Sequence, residues 1–281
     1  MSKIPEGVER EDLTIAARRV LLDGLTALRP HLEAITVVGA QAVYLRTPSA
    51  TIQNAPFTSD GDLSLDPLLL EDQPELGTAL RAAGFDLLDE NQPGLWGRPE
   101  QVSGKDIHIE LDLLVAAELA DGGRGARIPP HGKMTARKTP GLEVCAVDRS
   151  PMLITSLEEG DDRKISVNVA GPAALLVAKA YKISERVAQA ATKPHRLTNK
   201  DAGDVYRIMT TVPARQVAAS FATLVEDPRV GATAAEGLRR LQELFGGRAT
   251  PGVDLAVQAH AGDIPEDTIR TVAPAYISRL V

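Results

Sequence analysis

The stretch that decides the fold is Thr58–Asp66, TSDGDLSLD. Asp60, Asp62, Ser64 and Asp66 share one parity, while Gly61, Leu63 and Leu65 hold the other. In an extended strand successive side chains point to opposite faces, so the acids line one face and the leucines the other. Like charges at that spacing raise the cost of ionising each neighbour, so the acidic face needs either solvent or a cation.

Outward from this strand, the flanking segments alternate in type. Upstream, residues 8–28 carry Leu13, Ala16, Ala17, Val20, Leu21 and Leu25 at helical spacing. AITVV (34–38) is a short β-rich run ending at Gly39, and AQAVYLR (40–46) reads as a helix. TPSATIQNAPF (47–57), with two prolines, is a loop that delivers the chain to the acidic strand. Downstream, residues 74–83 predict a helix closed by Gly84, and FDLLD (85–89), LWGRP (95–99) and DIHIELDLLVA (106–116) predict strands. The Gly-, Pro- and cation-rich stretch 120–141 reads as a mobile loop, and 142–169 holds two or three more strands. Beyond Gly171-Pro172 the periodicity is helical, with Pro172 suited to a first turn. The chain therefore divides into an α/β domain, 1–169, and a helical domain, 170–281.

Composition excludes several classes. The 281 residues are 43% hydrophobic and 25% charged, as in an ordinary globular protein, and can bury a sizeable core. A single cysteine rules out a disulfide framework and a Cys-rich zinc site; Cys145, in LEVCAVD, reads as a buried strand position with an inert thiol. No apolar run has membrane-spanning length and the first residues lack a signal-peptide core, so the expectation is a cytoplasmic protein with no membrane partner. Residues 1–170 hold 17 cations against 27 acids, residues 171–281 hold 14 against 11. Two basic runs, 179–200 and 124–138, suit phosphate or nucleic acid, or simply a solvated surface.

A second strand repeats the pattern of the first: Asp106, His108, Glu110 and Asp112 alternate with Ile107, Ile109, Leu111 and Leu113. If the two strands are neighbours with their acids on the same side, Asp60, Asp62 and Asp112 converge, and that density of hard oxygen suits Mg²⁺. Two such ions serve phosphoryl or nucleotidyl transfer. The competing explanation is a half-exposed sheet with an acidic outer face. Gly39, between a strand and a helix start, offers backbone N–H groups to a phosphate or is only a tight turn. Ser59 or Thr58 adds a hydroxyl to the same shell or caps a turn.

VVGAQAVYLR, then TSDGDLSLD, then IELDLL resembles the nucleotidyltransferase superfamily, whose core carries Gly-[Gly/Ser], Asp-x-Asp and a third strand carboxylate. LLVAKAYKISER and TNKDAGDVYRI resemble the downstream motifs of the AbiEii-type toxins of AbiE-like toxin–antitoxin systems. The resemblance spans roughly Thr36 to Met209. It departs at Ala40, where the pattern has a small glycine or serine, and in the longer loop before Thr58; Glu110 competes with Asp112 as the third carboxylate. It implies an α+β fold: a nucleotidyltransferase-like mixed sheet with flanking helices, followed by a helical domain. It also implies an enzyme that moves NMP from an NTP onto an acceptor, with RNA, plausibly a tRNA end, as acceptor and an antitoxin as protein partner. Asp60, Asp62 and Asp112 would hold two Mg²⁺; Gly39 and Ser59 would hold the triphosphate; Lys179, with Lys182 beside it, would offset its charge; and Asp201 would join the site. The alternatives are transfer to a small molecule and a catalytically silent binding protein on the same fold.

Lys179 falls among Leu175, Leu176, Ile183 and Ala190 in an apolar stripe, so it either snorkels or faces a phosphate, with Lys182 and Arg186 flanking. On that reading Lys179→Met folds at least as stably as the parent. Asp201 also stands three residues after Thr198, the spacing of a capping box.

Overall fold

The computed structural model describes residues 4–48, 50 and 58–280. The loop read at 47–57 therefore lies mostly outside the described residues. The first helix, α1 (Arg10–Ala27), buries the whole predicted stripe, Leu13, Ala16, Ala17, Val20, Leu21 and Leu25. Each such leucine contributes about 1.5–3 kcal/mol on leaving water. Strand β1 (Ile35–Val38) is buried at all four positions, as a central strand covered on both faces must be. It runs into α2 (Gly39–Arg46) without a loop.

The acidic strand is β2 (Asp60–Leu65). It is followed by α3 (Leu76–Ala82), β3 (Asp86–Leu87), β4 (Leu95–Val102), β5 (Lys105–Ala116), β6 (Arg137–Thr139), β7 (Arg149–Thr155) and β8 (Lys164–Ala170). The sheet order is β3-β4-β5-β2-β1-β8-β7, with β6 pairing β5. β2 is antiparallel to β1 and parallel to β5, which makes the sheet mixed. The leucine face of β2 and β5 packs under α1. Gly61 is the exception in size on that face for a steric reason: a Cβ there would stand 3.0 Å from Leu111 and 3.3 Å from Leu21.

From Pro172 onward, among the described residues, only helices follow: α4 (Pro172–Ala188), α5 (Lys200–Thr211), α6 (Ala214–Leu224), α7 (Gly231–Phe245), α8 (Pro251–Ala259) and α9 (Glu266–Ile277). The class is thus α+β, a mixed sheet with flanking helices and a helical C-terminal half. One apolar core runs through both halves, from Leu13 and Leu111 to Leu175, Tyr206 and Phe245. α4 joins them: it packs on α5 and α7 and also touches α2. A further tie is Arg229, between α6 and α7, which pairs with the buried Asp66 just after β2.

Two local expectations are corrected. The 120–141 stretch is not a loose loop. Its β6 pairs in parallel with β5, Lys138 N–H donates to the Arg124 carbonyl, and the Trp96 indole donates to the Thr135 carbonyl at 2.9 Å. Ala126, Ile128 and Ala136 are buried. Its glycines and prolines turn the chain, and side chains packed between the turns hold it. Cys145 is buried as expected, and burial pushes its thiol well above the ordinary range, but it sits on a 3₁₀ turn (Glu143–Ala146) rather than a strand. The buried Glu143 closes that turn by accepting from the Gly141 and Glu118 N–H groups. Among the described residues no helix is long and apolar enough to cross a membrane.

Candidate functional site

The parallel register of β2 and β5 sets Asp60 opposite Glu110 and Asp62 opposite Asp112. Opposed residues in a sheet lie on the same face, so all four carboxylates share one side, away from α1. On the other flank of β2, Asp62 stands opposite Val38, one residue before Gly39. Gly39 has φ +68°, and a Cβ there would lie 2.7 Å from Cγ of Asp62. Glycine is demanded twice, by the left-handed backbone and by the carboxylate lying against it.

The local electrostatics are those of an under-neutralised cluster. Burial, then Asp60 and Asp112, push the Asp62 carboxyl up to about 7 against the pull of Lys182 and Lys179. Burial also raises Asp112, with Arg137 opposing, and raises Glu110. Asp60 is held by neutral donors: Thr58 Oγ1 donates to its carboxylate at 2.6 Å and Gln41 Nε2 to its carbonyl at 3.0 Å. Arg137 Nη2 donates to Asp112 Oδ2 at 2.8 Å, and Oδ1 of the same carboxylate is buried without a hydrogen-bond partner.

Facing these acids is a wall built by α4 and α5. Lys179, Lys182 and Arg186 follow at helical spacing and converge on Asp201. Lys179 Nζ donates to Asp201 Oδ1 at 2.7 Å and to Asp204 Oδ2 at 2.6 Å; Lys182 Nζ lies 3.2 Å from Asp201 Oδ1, and Arg186 Nη1 3.0 Å from Oδ2. Burial would lower the Lys179 ammonium and raise the Asp201 carboxyl, but their mutual attraction outweighs it in both, lifting the lysine and depressing the acid. The Lys179 side chain is 7% exposed, that of Lys182 48%. Lys179 therefore neither snorkels nor stands free for a phosphate; two acids from α5 receive it inside the stripe. The capping-box reading of Asp201 is corrected too. Asn199, not Thr198, is the N-cap and makes no side-chain cap, and the carboxylate of Asp201 is taken by the α4 cations.

Between sheet and wall lies a cleft of about 390 Å³, lined by Gly39, Ser59, Asp60, Asp62, Asp112, Arg137, Lys179, Lys182, Arg186, Lys200 and Asp201 among others. Gly39, Ser59, Asp60, Asp62, Asp112, Lys179, Lys182 and Asp201 all reach this one cavity, whereas the alternatives Thr58 and Glu110 are not among its lining residues. It adjoins an apolar lobe of about 440 Å³ under Leu142, Leu175, Ala178 and Tyr181, sharing Gly39, Asp62, Thr139 and Lys182. The Tyr181 ring is fixed there by the Arg240 guanidinium, 4.4 Å from its centroid.

Sequence reasoning missed Asp204 and read Arg137 only as part of the basic run 124–138, not as a partner of Asp112 in the cleft. Asp204 had a signal, since it stands three residues from Asp201 on the same helical face. Arg137 had none beyond its charge, because its place follows from β6 pairing with β5. Among the described residues no three His, Cys, Asp or Glu side chains are gathered at metal-ligand geometry. The donor set nonetheless fits a hard cation. It is all carboxylate oxygen, one oxygen is buried and unpartnered, and the cluster resists full ionisation without added positive charge. Compared with known proteins, the chain matches no protein-family model and no curated protein.

Proposed function

We propose that the protein is a Mg²⁺-dependent nucleotidyltransferase. The observation that supports this reading is the pairing of Asp60–Asp62 with Glu110–Asp112 on one face, opposite a cationic wall and beside an apolar lobe. Asp60, Asp62 and Asp112 would hold Mg²⁺, which when bound supplies positive charge to the triphosphate oxygens. Lys182 and Arg186, at the cleft wall, bind and orient the triphosphate. The apolar lobe takes the flat nucleobase against Tyr181, keeping water from the reacting end. Asp112, on the same face as Asp60 and Asp62, would take the proton of the acceptor hydroxyl. The acceptor oxygen then bonds to the α-phosphorus, the bond from that phosphorus to the bridging oxygen breaks, and pyrophosphate leaves with the electron pair. Positioning and fixed charge carry such a transfer.

RNA as acceptor, with a tRNA end as the favoured form, and an antitoxin as partner extend this reading on the strength of the sequence resemblance. Incubating the protein and Asp60→Asn with each labelled NTP, Mg²⁺ and total RNA tests it. Label should enter RNA with the parent and not with the variant. Equal incorporation by both would sink the metal-site reading, and incorporation only into small molecules would replace RNA as acceptor.

A further inference from the structure

Arg137 reaches the acids from an unexpected direction. β6 pairs with β5 so that Arg137 stands opposite Leu114, two residues past Asp112 on the same face. Its guanidinium makes a one-point contact, Nη2 to Asp112 Oδ2 at 2.8 Å, and leaves Oδ1 buried and unpartnered. An arginine that settles a carboxylate frequently makes a forked, two-point pair. Arg137 does not; its side chain is 25% exposed and lines the cleft with Lys182 and Arg186. A divalent cation at Asp112 and a guanidinium on the same carboxylate repel each other, so uptake of one weakens the hold of the other. Once displaced, a side chain of this length anchored on β6 stays within the cleft, where the polyphosphate is the anion at hand.

We propose that Arg137 is an exchangeable counter-cation: it holds Asp112 while the acids lack metal, and moves to the substrate's polyphosphate when a divalent cation takes Asp112. This rests on the nucleotidyl-transfer reading and adds an order to it, cation and substrate reinforcing each other through one side chain.

The test uses the full chain, with Mn²⁺ binding followed by electron paramagnetic resonance and inorganic tripolyphosphate binding by calorimetry, with and without Mn²⁺. Arg137→Gln should bind Mn²⁺ more tightly than the parent by about tenfold, the worth of one charge-assisted hydrogen bond no longer competing. It should also lose most of the gain in tripolyphosphate affinity that Mn²⁺ gives the parent. Arg137→Lys, which keeps a point charge without the fork, should fall between them and serves if the glutamine variant melts early. If the parent binds Mn²⁺ and both variants bind it no more tightly, Arg137 is a fixed ion-pair partner and the exchange is wrong. If the parent binds no Mn²⁺, the carboxylate site itself is wrong and the exchange falls with it.

Discussion

Two charged clusters face each other across one cleft, and they are balanced in opposite ways. On α4 and α5, Asp201 and Asp204 are answered by Lys179, Lys182 and Arg186 at 2.6–3.2 Å, in good geometry and largely out of water. On β2 and β5, Asp60, Asp62, Glu110 and Asp112 meet one guanidinium in direct contact, from Arg137. The first cluster answers its own acids, with three cations to two carboxylates, and ties α4 to α5 within the helical half. The second carries uncompensated negative charge that burial makes expensive, so something from outside must complete it. Charge alone does not mark a site; unanswered charge in a cavity does.

The comparison breaks first at Lys179. Replacing it with methionine takes the ion-pair partner from the buried Asp204 and one of three cations from Asp201, which keeps Lys182 and Arg186, so Lys179→Met should lose roughly 3 kcal/mol in denaturant unfolding. The apolar stripe taken alone predicts the reverse, and an unchanged midpoint would return Lys179 to that simpler picture.

Asp201→Asn should cost roughly 3 kcal/mol at pH 7 by the same logic. Because the folded protein depresses the Asp201 carboxyl, its contribution is complete above the ordinary aspartate range and fades as pH falls below about 4. Urea unfolding of parent and variant should therefore show a gap about 1 kcal/mol narrower at pH 3 than at pH 7, without closing, because the folded carboxyl stays ionised at pH 3; a gap that widens there would show the ion pairs are not its source.

Asp62→Asn should behave oppositely. Transfer should fall by at least ~10²-fold on losing a key electrostatic group, while the melting temperature holds or rises as like-charge repulsion is relieved. A variant that is both active and destabilised would make the β2 cluster structural.

The smallest effect sharpens the division within α4. Lys182→Met removes a half-exposed cation, so stability should move by less than about 1 kcal/mol, yet affinity for tripolyphosphate should drop about tenfold. Calorimetry beside melting decides it, and unchanged affinity would remove Lys182 from the substrate wall.

What could be read beforehand follows the range of the interactions. The alternation in β2 and β5 is local, so both strands and their acidic faces were legible from parity alone. That these strands are neighbours is not legible in them, because a parallel pair separated by α3, β3 and β4 leaves no mark in either segment. Lys179 was legible as an anomaly but not as an ion pair, since its partners belong to the next helix. Arg137 was hidden in a stretch whose glycines and prolines resemble slack chain; β6 gains its order from β5, not from its own three residues.

One last feature reaches beyond the cleft. Asp60, Asp62 and Asp66 share a strand face, yet the first two look into the cavity while the third, just past the strand's end, is buried against Arg229 of the helical half. β2 is thus a ruler: four residues, about 13 Å of extended chain, separate the chemistry from the anchor. A one-residue slip would turn both ends to the wrong face. A two-residue slip would keep the faces and still miss one end. The length of this strand, as much as its acids, is constrained, and insertions tolerated elsewhere in the molecule should be refused between Asp62 and Asp66.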